Sequence, residues 1–264
     1  MIWLFALGLI NLIMIIFSII FLLPKGSIKK IPNNIKTLFE VFNQQLIPIL
    51  IILIVAIFHL IEVKFIDPAV TNWVGRDYSY FIRSIEGDIV IHFSNYWTPI
   101  LIYYFVIIYI GVYTFTLWFS PLYFILGNKK KAMKTFAYGL LLIYAISLPF
   151  YLFLPVTNVY SAPFYEGKSA LETVIPSIES FFYSTTTLNN CFPSLHTAMS
   201  ILVAYCASLT GNKKYTYFII IVMISVIISV IYLSIHWILD TIGGAILAFL
   251  VILILRRYIK DEEK

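Results

Sequence analysis

Apolar runs of about twenty residues, separated by short lysine clusters, divide this chain from end to end. Crossing a bilayer core roughly 30 Å thick takes about 20 helical residues at about 1.5 Å each. Lipid offers backbone N–H and C=O groups no partner, so each crossing run must be a helix. Seven runs stand out, at about 2–23, 45–63, 97–125, 135–155, 193–210, 215–235 and 237–257. The last two are nearly continuous and too long together for one crossing, so a break near Ser234-Ile235-His236 is required. With 61% hydrophobic and 12% charged residues, the chain is no ordinary soluble domain. The expected fold class is all-α, a polytopic membrane bundle of a six-helix core plus one N-terminal transmembrane helix.

Lysine placement gives an expected orientation. With the N-terminus outside, the inner loops and tail hold Lys25, Lys29, Lys30, Lys36, Lys129, Lys130, Lys131, Lys134, Lys213, Lys214, Arg256, Arg257, Lys260 and Lys264. Outside remain Lys64, Arg76, Arg83 and Lys168. That bias follows the positive-inside rule and puts the C-terminus in the cytoplasm. It also explains the net charge of +5 without nucleic acid as a partner. Residues 2–23 read as a retained anchor, since no basic residue precedes them and no small-residue cleavage site follows. The expected organisation is an anchor with a basic inner loop (1–44), one transmembrane catalytic domain (45–258) and a short tail (259–264). Cys191 and Cys206, about 22 Å apart along one helix, are too distant for a disulfide.

Two outer segments are long. Residues 66–95 contain "WVGRDYSYFIRSIEG" and read as an interfacial amphipathic helix, with Arg76 and Arg83 on one face. Residues 156–192 carry prolines and tyrosines and are expected to be partly irregular. Pro48, Pro99 and Pro149 are candidate kinks, and Gly243 and Gly244 candidate points of close helix packing. His59 and His92 read as interface anchors.

Polar groups are costly in hydrocarbon, so their positions are informative. They gather at the outer ends of the spans. "NNCFPSLHTAMS" (189–200) brings Asn189, Asn190, Ser194 and His196 to the start of the fifth span. "HWILD" puts His236 and Asp240 four apart, on one helical face. A carboxylate there can hold one ring nitrogen and leave the other free as base or nucleophile. Pro193 suits a helix start, which places His196 in a first turn whose free N–H groups and dipole favour an anion. Two histidines and a carboxylate can also hold iron or zinc. The constellation suits phosphoryl transfer at the level of lipid headgroups.

"FPSLH" and "HWILDTIGG" resemble the second and third motifs of the type 2 phosphatidic acid phosphatase superfamily. They are most similar to its branch of inositol phosphorylceramide and sphingomyelin synthases. "FLPVTNVYSAPFY" (153–165) stands where the family has its first motif, and the resemblance covers roughly residues 45–258. It implies metal-free, cofactor-free chemistry. His236 would take the phosphoryl group, Asp240 would orient it, and His196 would protonate the leaving alcohol. Ser194 and nearby backbone N–H groups would hold phosphate oxygens. Apart from the resemblance, Asn189, Asn190 and Tyr160 are neutral donors that could join them, and Arg76 and Arg83 read first as interfacial anchors that could fold back over the site. The partners would be a membrane phospholipid and an alcohol or water as acceptor.

The chain departs from the phosphatase pattern at three places. Leu195 replaces the glycine of Pro-Ser-Gly-His, Val230 stands where an arginine precedes the histidine by six, and residues 145–165 hold no lysine or arginine. A phosphomonoester carries up to two charges, with a second pKa of about 6, and needs compensating cations in a low-dielectric site. A phosphodiester carries one. The expectation therefore leans to transfer of a phospho-headgroup from a phosphodiester lipid. A phosphomonoester phosphatase and a non-catalytic lipid-binding or transport protein on the same fold are the alternatives.

Overall fold

Helices follow one another wherever the apolar runs demand them. The computed structural model describes residues 2–23, 35–166, 169–174 and 186–259. Among these the helices are α1 (Ile2–Phe17, continued by a π turn Ser18–Leu22), α2 (Ile35–Asn43), α3 (Leu46–Val74) and α4 (Ser79–Glu86). There follow α5 (Ile89–His92), α6 (Pro99–Leu126), α7 (Lys130–Phe153) and α8 (Ala170–Val174). The last are α9 (Leu195–Ser208), α10 (Lys213–Tyr232) and α11 (Ile238–Tyr258). No strand forms among the described residues; one isolated parallel bridge joins Val156 to Asn190.

Five helices, α3, α6, α7, α10 and α11, are long and apolar enough to cross a membrane. The fold is thus an all-α multi-pass membrane bundle. The two other expected runs form shorter apolar helices, Leu7–Leu22 and Leu195–Ser208. The expected 193–210 is trimmed at both ends. Ser194 caps the start by accepting from the Thr197 N–H, and Gly211, at φ +75°, turns the chain after the end. The required break between the last two spans is present. Ser234 adopts φ +55°, and the N–H groups of Ile235 and His236 both fold back onto the Val230 carbonyl.

The outer segment 66–95 differs from its expectation. α3 does not stop near residue 63. It continues through a π turn, Glu62–Ile66, and ends at Gly75, whose φ of +61° few side chains would adopt. Pro68, with no N–H to donate, stands two residues after the end of that turn. Arg76 therefore lies in the loop beyond α3 and Arg83 on α4, so the two arginines share no helix face. Pro48 and Pro99 sit in first turns, where the missing N–H costs nothing; Pro149 alone of the expected kink sites is inside a helix.

α9 is the centre of the bundle, packed against α7, α10 and α11. Ala198, Leu202, Val203 and Cys206 are buried there against Phe136, Ala248 and Val251. Helices in lipid associate by close packing rather than by escape from water, so small residues matter. A Cβ on Gly139 would stand 2.5 Å from Leu202 Cδ1, which fixes how near α7 lies to α9. A Cβ on Gly244 would collide with the Ser194 carbonyl oxygen, so α11 reaches the mouth of α9 only because that residue is glycine. Ile54, Ile221 and Leu253 point outward and are exposed, as a lipid-facing surface requires.

Candidate active site

Two helix starts meet at one end of the bundle. At the first, Pro193 and Ser194 lead into α9. The Tyr151 hydroxyl donates to the Pro193 carbonyl at 2.6 Å, and the Ser194 N–H donates to the Asp240 carbonyl at 2.9 Å. At the second, the Asp240 carboxylate turns back to accept the Trp237 N–H at 2.9 Å, holding the first turn of α11. The Trp237 indole donates to the Thr157 carbonyl at 2.9 Å, which ties this start to the segment after α7.

These anchors place three side chains in a row. His236 Nδ1 lies 3.3 Å from Asp240 Oδ2, and His236 Nε2 lies 3.1 Å from His196 Nδ1. Asp240 is fully buried and His236 almost so. A carboxylate accepts only, so His236 donates from Nδ1; its Nε2 lone pair then accepts from the His196 Nδ1–H. The His196 ring is flanked by Tyr109 and Tyr113, with centroids 4.8 and 5.1 Å away. Asp240 Oδ1 has no hydrogen-bond partner among the described residues.

A cavity of about 440 Å³ opens onto this row. His196, His236, Tyr160, Asn190, Asn158 and His59 are among the residues that line it. No lysine or arginine is among its described lining residues. Leu195 and His196, the first two residues of α9, line the cavity, and a helix start leaves its first N–H groups without an acceptor inside the helix. Such a helix start can receive an anion. The start of α11 cannot in the same way, because Glu86 already accepts the N–H groups of Ile238 and Leu239 at 3.2 and 3.0 Å. Burial pushes the Glu86 carboxyl above its ordinary range, and those two N–H groups oppose the rise.

The expected site residues thus divide. His196, His236 and Asp240 come together, and Tyr160 and Asn190 line the same cavity. Ser194 does not line it: the side chain is fully buried as the cap of α9, 3.4 Å from the Thr197 N–H. Asn189 turns away and donates to the Thr71 hydroxyl at 2.8 Å. Arg83 is held by Asp88 through bonds of 2.6 and 3.0 Å and lies over the Phe164 ring, so its guanidinium is already engaged. Arg76 is exposed beyond the end of α3. Lys168 lies outside the described residues. For metal chemistry, Cys191, His236 and Asp240 form one group whose ligand atoms lie within 4.8 Å of one another. An ion bound there at Nδ1 would replace the His236–Asp240 bond and leave Nε2 free.

Several residues of this end escaped the sequence reading. Glu86 gave no signal, being one acid in a polar segment. Tyr109 and Tyr113 look like any aromatic pair in an apolar run. Glu62 did carry one: it is an acid at the end of an apolar stretch, and it is fully buried here.

No curated protein and no solved structure matches the chain. A family model does, described as the PAP2 superfamily, over residues 90–254 of the 264. That match runs from the segment before α6 nearly to the end of α11 and includes both histidines and the aspartate. The chain belongs to the PAP2 superfamily.

Proposed function

We propose that the chain is a membrane lipid phosphotransferase that works through a phosphohistidine on His236, with a phosphodiester lipid as donor and an alcohol as acceptor. The observation that carries this reading is the Asp240–His236–His196 row at the wall of a cavity that the start of α9 also lines and that has no described lysine or arginine. Asp240 keeps the Nδ1 proton of His236 in place, so Nε2 is the atom with a lone pair to give. Phosphate entry must break the 3.1 Å bond between the histidines, because the phosphorus takes the position facing Nε2. Nε2 then forms a bond to phosphorus while the ester O–P bond breaks. His196, protonated for this step, gives its proton to the departing alkoxide. In the second half the acceptor hydroxyl passes its proton to His196, its oxygen bonds to phosphorus, and the P–N bond breaks. The N–H groups of Leu195 and His196, with Asn190 and Tyr160, would hold the non-bridging oxygens as charge develops.

The missing cations favour a diester over a monoester on charge alone, which is why we place the chain nearest the inositol phosphorylceramide synthase-like activities. An apolar cavity of about 300 Å³ adjoins the polar one and shares Tyr113, Leu117 and Leu195 with it, which suits a hydrocarbon tail. We also propose that the site faces outward, with the C-terminus in the cytoplasm.

The test is to incubate the protein in lipid nanodiscs with radiolabelled phosphodiester and phosphomonoester lipids. Transfer of the headgroup to an added alcohol, with label trapped on His236, is expected from diesters. Rapid release of inorganic phosphate from monoesters would replace this reading with a lipid phosphatase. No turnover and no label on His236 would leave a binding or transport protein.

A further inference from the structure

The cavity wall also carries a second ionisable cluster, outside the family motifs. It lies on α3 and α7, and its α3 members precede the matched residues 90–254. His59 lines both the polar cavity and the apolar one beside it. In a lipid, the phosphate is what joins a polar headgroup to an apolar tail, so His59 stands where a lipid phosphate would lie. Behind it, His59 Nδ1 is 3.6 Å from Glu62 Oε2 and 3.3 Å from the Tyr144 hydroxyl, and Tyr144 donates to Glu62 at 2.9 Å. Glu62 is fully buried, and its Oε1 has no hydrogen-bond partner among the described residues. His59 is its ion-pair partner among the described residues.

A carboxylate buried without a positive partner is costly. A proton on His59 removes that cost: Nδ1–H then faces Glu62, and the remaining N–H, at Nε2, is left for the cavity. We propose that His59, held by Glu62 and Tyr144, is the cation that binds the substrate's phosphate, in place of the lysine and arginine absent from this chain's motif positions. This rests on reading the cavity as a phosphate site. The π turn at Glu62–Ile66 begins with Glu62 itself, three residues beyond His59.

The test compares the full-length wild type with His59→Gln, His59→Arg and Glu62→Gln in nanodiscs. Orthovanadate serves as the anion, read by the rise in melting temperature, with KM and kcat on the lipid that the wild type turns over. His59→Gln should weaken vanadate at least tenfold, about 1.4 kcal/mol, and raise KM more than it lowers kcat. His59→Arg should recover most of that affinity, because it restores the charge. Glu62→Gln should weaken vanadate less than His59→Gln. Wild-type vanadate affinity in His59→Gln, or an arginine variant no better than the glutamine variant, overturns the proposal. So does a wild type that vanadate does not stabilise. If His59→Gln fails to fold, His59→Asn against His59→Arg reads the same difference in charge. A wild type that binds vanadate but labels no histidine and converts no lipid would defeat the proposed function instead, and the vanadate comparison would still decide His59.

Discussion

A histidine is a weak nucleophile until something fixes which nitrogen carries the proton. Asp240 does this for His236 and is itself fixed by the Trp237 N–H, so the pair is rigid before any substrate arrives. His236→Ala should abolish both turnover and covalent labelling, a loss of at least about a thousandfold if the lone pair is the nucleophile. Asp240→Asn keeps the shape but offers an amide where Nδ1–H needs an acceptor, and should cut kcat on the order of a hundredfold with little change in KM. His196 is different in kind. As an acid it matters only when the leaving alkoxide is basic. His196→Ala should be severely slowed on an alkyl diester and much less on a nitrophenyl ester. Equal losses on the two esters would remove the acid role.

At the scale of the element, the site depends on how close two helix starts can come. Gly244 is where α11 presses on the Ser194 carbonyl, and Gly243 is where it meets the Phe192 ring. Alanine is the better helix former by about 1 kcal/mol, so an open position would gain from the change. At Gly244 the added methyl meets the Ser194 carbonyl and Thr197 Cβ, neither of them the yielding end of a long side chain. Gly244→Ala should therefore lower stability by about 1–3 kcal/mol and separate His196 from His236, seen as a lower melting temperature and lower kcat. Gly8, by contrast, has nothing within 4 Å of an added Cβ, and Gly8→Ala should be neutral or stabilising. If the two alanine variants behave alike, close approach is not what Gly244 provides.

This scale also separates what the sequence made legible from what it hid. Hydrophobic run length found the apolar helices and the break at Ser234, because each follows from the cost of a peptide group in lipid. His236 and Asp240 meet as expected, but not on one helical face: His236 precedes the Trp237 cap of α11, and the Asp240 carboxylate reaches it by folding back over that cap. What failed had no local rule. Arg76 and Arg83 were seven apart and looked like one face, but Gly75 ends α3 just before Arg76 and leaves it in the loop ahead of α4. Ser194 looked like a phosphate ligand, yet the nearest unsatisfied donor was the Thr197 N–H of its own helix. His59 and Glu62 belong to a cluster closed by Tyr144, more than eighty residues away, and only the packing of α3 on α7 brings them together.

Taken as a whole, the molecule is polar at both ends in different ways. α7 runs from Lys130 to the site, α9 leaves the site at Leu195, α10 returns from Lys213, and α11 leaves again toward Arg256 and Arg257. The alternation puts the lysine and arginine clusters at one end of the bundle and the histidines at the other. Positive clusters resist translocation, so the end that carries them should stay in the cytoplasm. Headgroup chemistry would then occur in the outer leaflet. A reporter fused after Lys264 should read as cytoplasmic, and one inserted near Gly167 as external. The site's own polar cavity adds a second readout that needs no fusion. In right-side-out vesicles, vanadate added outside should inhibit at once, without a permeabilising agent. If inhibition requires permeabilised vesicles and the reporter signals reverse, the site faces the cytoplasm, and the lysine clusters have been assigned to the wrong side.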